Sequence, residues 1–156
     1  MPGEVSSMGR HVAGLATALA LALEGGASSA QGLVGVIVVD VNGLRNSRGE
    51  VLCYLYANAT GFPQDPARAV GKVVAPIVRQ AATCQFKGVA PGAYAVAVVH
   101  DENGNGRLDR NMLGIPTEGV GASNNPVSHF GPPKFDAARF DYGGGDRTLS
   151  IQLRYL

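Results

Sequence analysis

The chain has 156 residues, of which 46% are hydrophobic and only 16% charged, so a charge-rich disordered protein is excluded and one compact domain is expected. Thirteen Lys and Arg residues nearly balance twelve Asp and Glu residues, and this net charge of +1 gives no basic surface for a nucleic-acid partner. The 22 glycines and 9 prolines predict many turns and few long helices.

The first thirty residues have the pattern of a secretory signal peptide. A basic pair precedes an apolar run from Val12 to Leu23, and the small residues that a signal peptidase reads follow up to Ala30. The run is shorter than the roughly 20 residues needed to cross a bilayer. We therefore expect cleavage after Ala30, a single periplasmic or secreted domain over residues 31–156, and no membrane span in it. A non-cleaved anchor or a misplaced start codon is the alternative.

Short apolar or alternating segments, separated by Gly, Pro and Asn turns, follow in chain order. They are predicted strands at residues 32–41, 50–57, 72–78, 82–87, 94–100 and 147–155. No amphipathic helix is long enough for a parallel crossover, so the predicted fold class is all-β, an antiparallel β-sandwich of about seven strands. Pro76 places its strand at an edge of a sheet, because proline lacks a backbone donor.

Two cysteines lie on predicted strands and on apolar faces. An oxidising compartment would let Cys53 and Cys84 form a disulfide, which would close a loop of about 30 residues and stabilise the fold by roughly 3–4 kcal/mol. Two buried free thiols are the alternative.

The segment from His100 to Asp109 has the spacing of a calcium-binding loop. Its oxygen-bearing residues stand at the first, third, fifth, seventh and ninth positions: Asp101, Asn103, Asn105, Arg107 through its carbonyl, and Asp109. Gly106 at the sixth position permits the sharp turn. Met112 replaces the bidentate Glu of an EF-hand, so a closing carboxylate would come from elsewhere, with Glu118 nearest in sequence and Asp141 or Asp146 as alternatives. A metal-free turn, in which these side chains cap the backbone, is the alternative.

Several separated motifs then allow a family comparison. They are Gly88–Val96, His100–Asp109, Leu113–Gly119, Ser123–Asn125, and Phe130–Phe135 followed by Ala138 and Phe140. In this order they resemble the exported bacterial family known as domain of unknown function 2141. The resemblance implies a periplasmic or secreted β-sandwich, similar in plan to transthyretin-like and immunoglobulin-like modules. The resemblance does not indicate any particular activity.

Residues 110–142 are predicted to form one long ordered loop, because apolar residues recur along it. We expect this loop to lie beside the calcium-type loop and to place five ligand-facing candidates there: His100, Glu118, Asn124, Asn125 and His129. The sequence therefore favours an exported non-enzymatic module that binds a small molecule or a protein not identified by sequence. The alternative is a small hydrolase or metal-dependent enzyme that uses His100, Asp101 and Glu118.

Overall fold

The computed structural model describes residues 33–156, together with the isolated Gly3. The chain divides into two units between Ala30 and Gln31, and the fold below is that of the second unit. The predicted signal peptide, apart from Gly3, lies outside the described residues and stays a prediction. Among the described residues, no helix has the length and apolar character needed to span a bilayer.

The described chain is almost entirely β structure, as predicted. Its eight strands are β1 (Gly35–Asn42), β2 (Glu50–Tyr56), β3 (Gly71–Pro76), β4 (Ala82–Val89), β5 (Gly92–Asp101), β6 (Gly119–Ala122), β7 (Phe140–Tyr142) and β8 (Asp146–Gln152). One 3-10 turn (Pro66–Arg68) and one helical turn, α1 (Phe135–Ala138), lie between strands. Frequent Gly and Pro residues explain the short elements, since both residues favour turns.

The strands form the two sheets of a β-sandwich. One sheet has the order β4-β1-β8, and the other has the order β3-β2-β5-β6, with β7 paired to the start of β5. Every pair is antiparallel except β1 and β8, which run parallel with Val39 opposite Leu149. Strand β3, which ends at Pro76, lies at the edge of its sheet, so the edge position predicted from the proline is confirmed.

The core lies between the two sheets. Val39 of β1 and Val51 of β2 are among its fully buried side chains, each of which stabilises the fold by about 1.5–3 kcal/mol. A disulfide joins Cys53 of β2 to Cys84 of β4, with 6.5 Å between the two Cα atoms, so it links one sheet to the other. The predicted disulfide is confirmed. This unit has its own core and its own covalent link.

The sheet that contains β2 and β5 is also buried on its outer face. Leu52, Tyr54 and Val99 lie there under side chains from the connecting segments, which include Leu108 and Phe135. This second layer explains why both faces of β2 are apolar in the sequence. It also fixes the segment after β5, because Leu108 packs directly on the sheet.

The segment predicted as one long loop, residues 110–142, contains β6, α1 and β7. Strand β6 was missed because its four residues include two glycines and show no apolar alternation. Main-chain hydrogen bonds between Val120 and Arg154, at 2.9 Å in each direction, join β6 to the C-terminal segment after β8. That segment closes one edge of the sandwich.

Candidate metal centre

Asp101, the last residue of β5, organises the loop that follows it. Its side chain is fully buried, its Oδ1 accepts a hydrogen bond from the Asn105 amide at 3.1 Å, and its Oδ2 accepts one from the Gly106 amide at 2.6 Å. Gly106 has a φ of 78°, a left-handed conformation that favours glycine. The carboxylate therefore holds the loop curled back towards the end of the strand.

Three further candidate ligands meet at one point of this loop. Asn103 Nδ2 donates to Asp109 Oδ2 at 2.6 Å, and Asn105 Nδ2 donates to the two oxygens of Asp109 at 2.9 and 3.0 Å. These hydrogen bonds, first from Asn105 and then from Asn103, lower the pKa of Asp109 below its usual value. Asp109 therefore carries a negative charge that the two asparagine amides stabilise.

The amide oxygens of the same two asparagines shape the backbone. Asn103 Oδ1 accepts from the Asn105 amide and Asn105 Oδ1 accepts from the Arg107 amide, both at 3.1 Å. Each oxygen has a second lone pair that these bonds do not use. The Arg107 guanidinium is exposed, with its Nε 3.6 Å from Asp109 Oδ1.

Glu118 joins the two ends of the loop. Its Oε1 accepts from the Glu102 amide at 2.9 Å, its Oε2 accepts from the Asp109 amide at 3.0 Å, and only 4% of the residue is exposed. The Glu118 carboxylate, which lies beyond the loop in sequence, thus links the start of the loop to its end. Leu108 packs on the outer face of the sheet and anchors the same segment there.

Glu102 ties the loop to the connection between β1 and β2. Its carboxylate accepts hydrogen bonds from Arg45 Nε at 2.7 Å, Asn46 Nδ2 at 3.0 Å and Arg48 Nη2 at 2.9 Å. Burial raises the pKa of Glu102, but the hydrogen bonds from Asn46, Arg45 and Arg48 outweigh burial, and the pKa is lowered overall. Gly49, at a φ of 68°, permits the close approach, because a Cβ there would collide with the Asp101 carbonyl oxygen.

His100 lies fully buried beneath this connection. Its Nε2 is 2.8 Å from the Arg48 carbonyl oxygen, which can only accept, so Nε2 carries a proton. Its Nδ1 is 2.7 Å from the Tyr155 hydroxyl, which also accepts from the Arg45 amide at 3.0 Å. Burial is the main cause of a raised pKa for Tyr155. These contacts make His100 a link between three segments.

The remaining ligand-facing candidates contact other parts of the fold. Asn124 Nδ2 donates to the carbonyls of Ala137 and Arg139, at 3.3 and 2.8 Å. Asn125 contacts the edge of β8, donating to the Ser150 carbonyl at 3.0 Å and accepting from the Gln152 amide at 2.7 Å. His129 is exposed. Of the five candidates, the structure brings only His100 and Glu118 next to the loop.

The sequence did not predict the contacts of Arg45, Asn46, Arg48 and Tyr155 with this end of the fold. These residues lie more than fifty residues from their partners in the chain, and no local spacing marks them. Only the tertiary contacts of β1, β2 and the C-terminal segment bring these residues to the site.

The chemistry available here is oxygen ligation. Within the described range, no three His, Cys, Asp or Glu side chains form a group that could hold a metal. A cation at this loop would rely on the amide oxygens of Asn103 and Asn105 as well as on two carboxylates. Such a ligand set suits a hard cation such as calcium and is poor for zinc or copper.

The fold and this loop together define a class: a two-sheet β-sandwich domain with an internal disulfide and an oxygen-rich loop at one end. Residues 39–150 match the family model described as an uncharacterized protein conserved in bacteria (DUF2141). The chain belongs to this family, and the resemblance found in the sequence motifs is confirmed. No curated protein and no solved structure matches the chain.

Proposed function

We propose that this chain is an exported, non-enzymatic binding module, periplasmic or secreted, whose Asp101–Asp109 loop binds calcium. The observation that carries the proposal is the convergence of the Asn103 and Asn105 side-chain amides on the Asp109 carboxylate, with N···O distances of 2.6–3.0 Å, on a loop already curled by Asp101. Alternate residues of a curled loop are how a chain supplies several oxygens to one hard cation.

The free lone pairs support cation binding. The oxygens of Asn103 and Asn105 each use one lone pair on a backbone amide, and each carboxylate oxygen of Asp101 likewise accepts one backbone hydrogen bond. Calcium would use the second lone pairs and would replace the two neutral amide donors that now hydrogen-bond to Asp109. The Arg107 carbonyl is the proposed backbone ligand.

The surroundings of the three residues considered for catalysis favour a binding module over an enzyme. Asp101 and Glu118 each place both carboxylate oxygens on backbone amides, and His100 is held between a carbonyl and a hydroxyl. A general acid or base must reach a proton of the substrate, and groups committed to the fold are poorly placed for this.

The disulfide supports the proposed location. Structural disulfides persist in oxidising compartments and are rare in the cytosol. The Cys53–Cys84 bond therefore agrees with the signal-peptide pattern of residues 1–30. Periplasmic or secreted is the location we propose.

Thermal unfolding of residues 31–156 in calcium and in chelator tests the proposed cation. With two carboxylates, we expect a Kd of about 10⁻⁴–10⁻³ M. Calcium at ten times Kd then stabilises the fold by about 1.4 kcal/mol. That corresponds to a rise in Tm of roughly 4–8 °C.

The matched variants are Asp109→Asn, which removes the charge of a proposed ligand, and Asp136→Asn, which removes an exposed carboxylate of α1. The calcium-dependent rise in Tm should disappear in Asp109→Asn and persist in Asp136→Asn. A wild-type Tm that does not respond to calcium, or an equal rise in Asp109→Asn, contradicts the proposal.

A further inference from the structure

A rigid hairpin extends from the end of the calcium-type loop, over residues 109–117. Asn111 holds its turn, since the side-chain Oδ1 accepts from the amides of Leu113 and Ile115, at 2.9 and 3.0 Å. The Asn111 main chain adds bonds with Ile115 and Gly114, both at 2.9 Å. At the base of the hairpin, the Thr117 amide donates to the Asp109 carbonyl at 3.0 Å. The turn is therefore fixed by its own hydrogen bonds.

This turn presents large apolar side chains to solvent. Met112 is 103% exposed, Leu113 is 83% exposed and Ile115 is 41% exposed. Single exposed apolar residues are common, but adjacent ones at the end of a rigid projection mark a site of interaction. We call residues 111–115 the apolar tip.

Five exposed arginines lie on the hairpin, on the calcium-type loop and on the connections 43–49 and 77–81: Arg110, Arg107, Arg45, Arg48 and Arg79. Arg110 Nη1 donates to the Gly114 carbonyl at 2.9 Å, and Arg45 Nη2 donates to the Thr117 carbonyl at 3.2 Å. Arg79 lies in the turn between β3 and β4, where the next residue contacts Ser47 and Arg45.

Three carboxylates of the same end are covered, whereas the Asp109 side chain is 30% exposed and pairs with Arg107 at 3.6 Å. Asp101 and Glu118 are buried, and the side chain of Glu102 is 8% exposed. The surface around the apolar tip therefore presents guanidinium groups outward, although opposite charges lie beneath them. Such a surface complements a layer of phosphates.

We propose that this end of the molecule attaches to an anionic phospholipid bilayer, with Met112 and Leu113 inserted at the boundary between headgroups and acyl chains. The shape favours a bilayer over a protein partner, because a convex projection of two side chains needs no complementary pocket in a lipid surface. Apolar side chains at the end of a projection that is flanked by Arg45 and Arg110 also match the layered polarity of that interface. The inference does not rest on calcium, since the apolar tip contains none of the proposed ligands.

A tryptophan placed in the tip tests insertion directly, because the chain has no tryptophan of its own. Leu113→Trp in residues 31–156 is mixed, in chelator, with vesicles of phosphatidylcholine alone or with one quarter phosphatidylglycerol. We expect its emission to shift to the blue and to be quenched by brominated acyl chains only with the anionic vesicles. Val70→Trp is the matched control, since Val70 is 60% exposed just before β3. Its emission should not change.

Sedimentation with the same vesicles measures the affinity. Met112→Ser with Leu113→Ser should weaken binding at least about tenfold, whereas Val70→Ser should leave it unchanged. Arg79→Gln with Arg107→Gln should weaken it by about fivefold per charge. Equal melting temperatures in chelator show that the variants are folded.

Three outcomes overturn the proposal: wild-type protein that does not bind anionic vesicles, binding that survives loss of the apolar tip, or equal spectral shifts in the Leu113→Trp and Val70→Trp variants. In any of these cases a protein partner for the apolar tip becomes the better account.

Discussion

At the scale of single residues, buried carboxylates decide the geometry of the loop. Asp101, Glu102 and Glu118 all accept hydrogen bonds from donors elsewhere in the chain. The sequence predicted the candidate ligands Asp101–Asp109 from their spacing alone. It also named Glu118 as the nearest closing carboxylate, but not the two backbone amides that Glu118 contacts, because such partners have no local signature.

The lowered pKa of Glu102 predicts a pH-dependent contribution to stability. A carboxylate with a pKa below its usual 4.5 stabilises the fold above that pH, and the contribution is lost as the pH falls through the folded-state pKa. At pH 7, Glu102→Gln should lower the free energy of unfolding by about 1–2 kcal/mol. Urea unfolding of both proteins at pH 7 and pH 3 should show the difference shrinking at pH 3. A difference that stays constant with pH would mean that the Glu102 charge does not contribute.

At the scale of elements, apolar alternation in the sequence predicted the long strands, but it did not predict which strands pair with each other. The strands β1, β2, β4, β5 and β8 follow from β-branched and alternating patterns. The parallel pairing of β1 with β8 has no sequence signature, because alternation fixes which face of a strand is buried and not its direction. The three-residue strand β7 and the glycine-rich strand β6 form only through their tertiary contacts, so the sequence alone does not predict them.

The turn between β3 and β4 is strained. Arg79 and Gln80 both have positive φ, at 52° and 58°, in a two-residue turn closed by hydrogen bonds between Val78 and Ala81. Asn tolerates this conformation far better than Arg. Arg79→Asn should therefore raise the free energy of unfolding by about 0.5 kcal/mol, and the β-branched Arg79→Val should lower it. Urea unfolding checks both, and a stabilising Arg79→Val would refute the assignment of strain.

At the scale of the whole molecule, the composition and the turn pattern were enough for the sandwich class. The pairing of Cys53 with Cys84 was also predicted, mainly from the signal-peptide pattern, because two cysteines on apolar strand faces alone would equally fit buried free thiols. The connection 43–49 escaped prediction as part of the site. Its contacts with Glu102 and His100 arise only when the ends of β1, β2 and β5 meet.

Removal of the inter-sheet disulfide should destabilise the whole domain. Cys53→Ala with Cys84→Ala frees a loop with a sequence separation of 31 and leaves two small gaps in the core. The expected loss is about 3 kcal/mol or more in the free energy of unfolding. Urea unfolding of residues 31–156 and of the double variant measures it. An unchanged free energy would show that the two sheets hold together without the covalent link.

The central claim, cation binding by the Asp101–Asp109 loop, is tested most directly by an NMR titration of the backbone amides with calcium. The Gly106 amide donates to Asp101 Oδ2 at 2.6 Å, so a cation on that carboxylate should alter the Gly106 resonance strongly. We predict saturable shifts centred on residues 101–109 and absent in Asp109→Asn. Shifts that fail to saturate, or that spread evenly over exposed carboxylates such as Asp136, would contradict the claim.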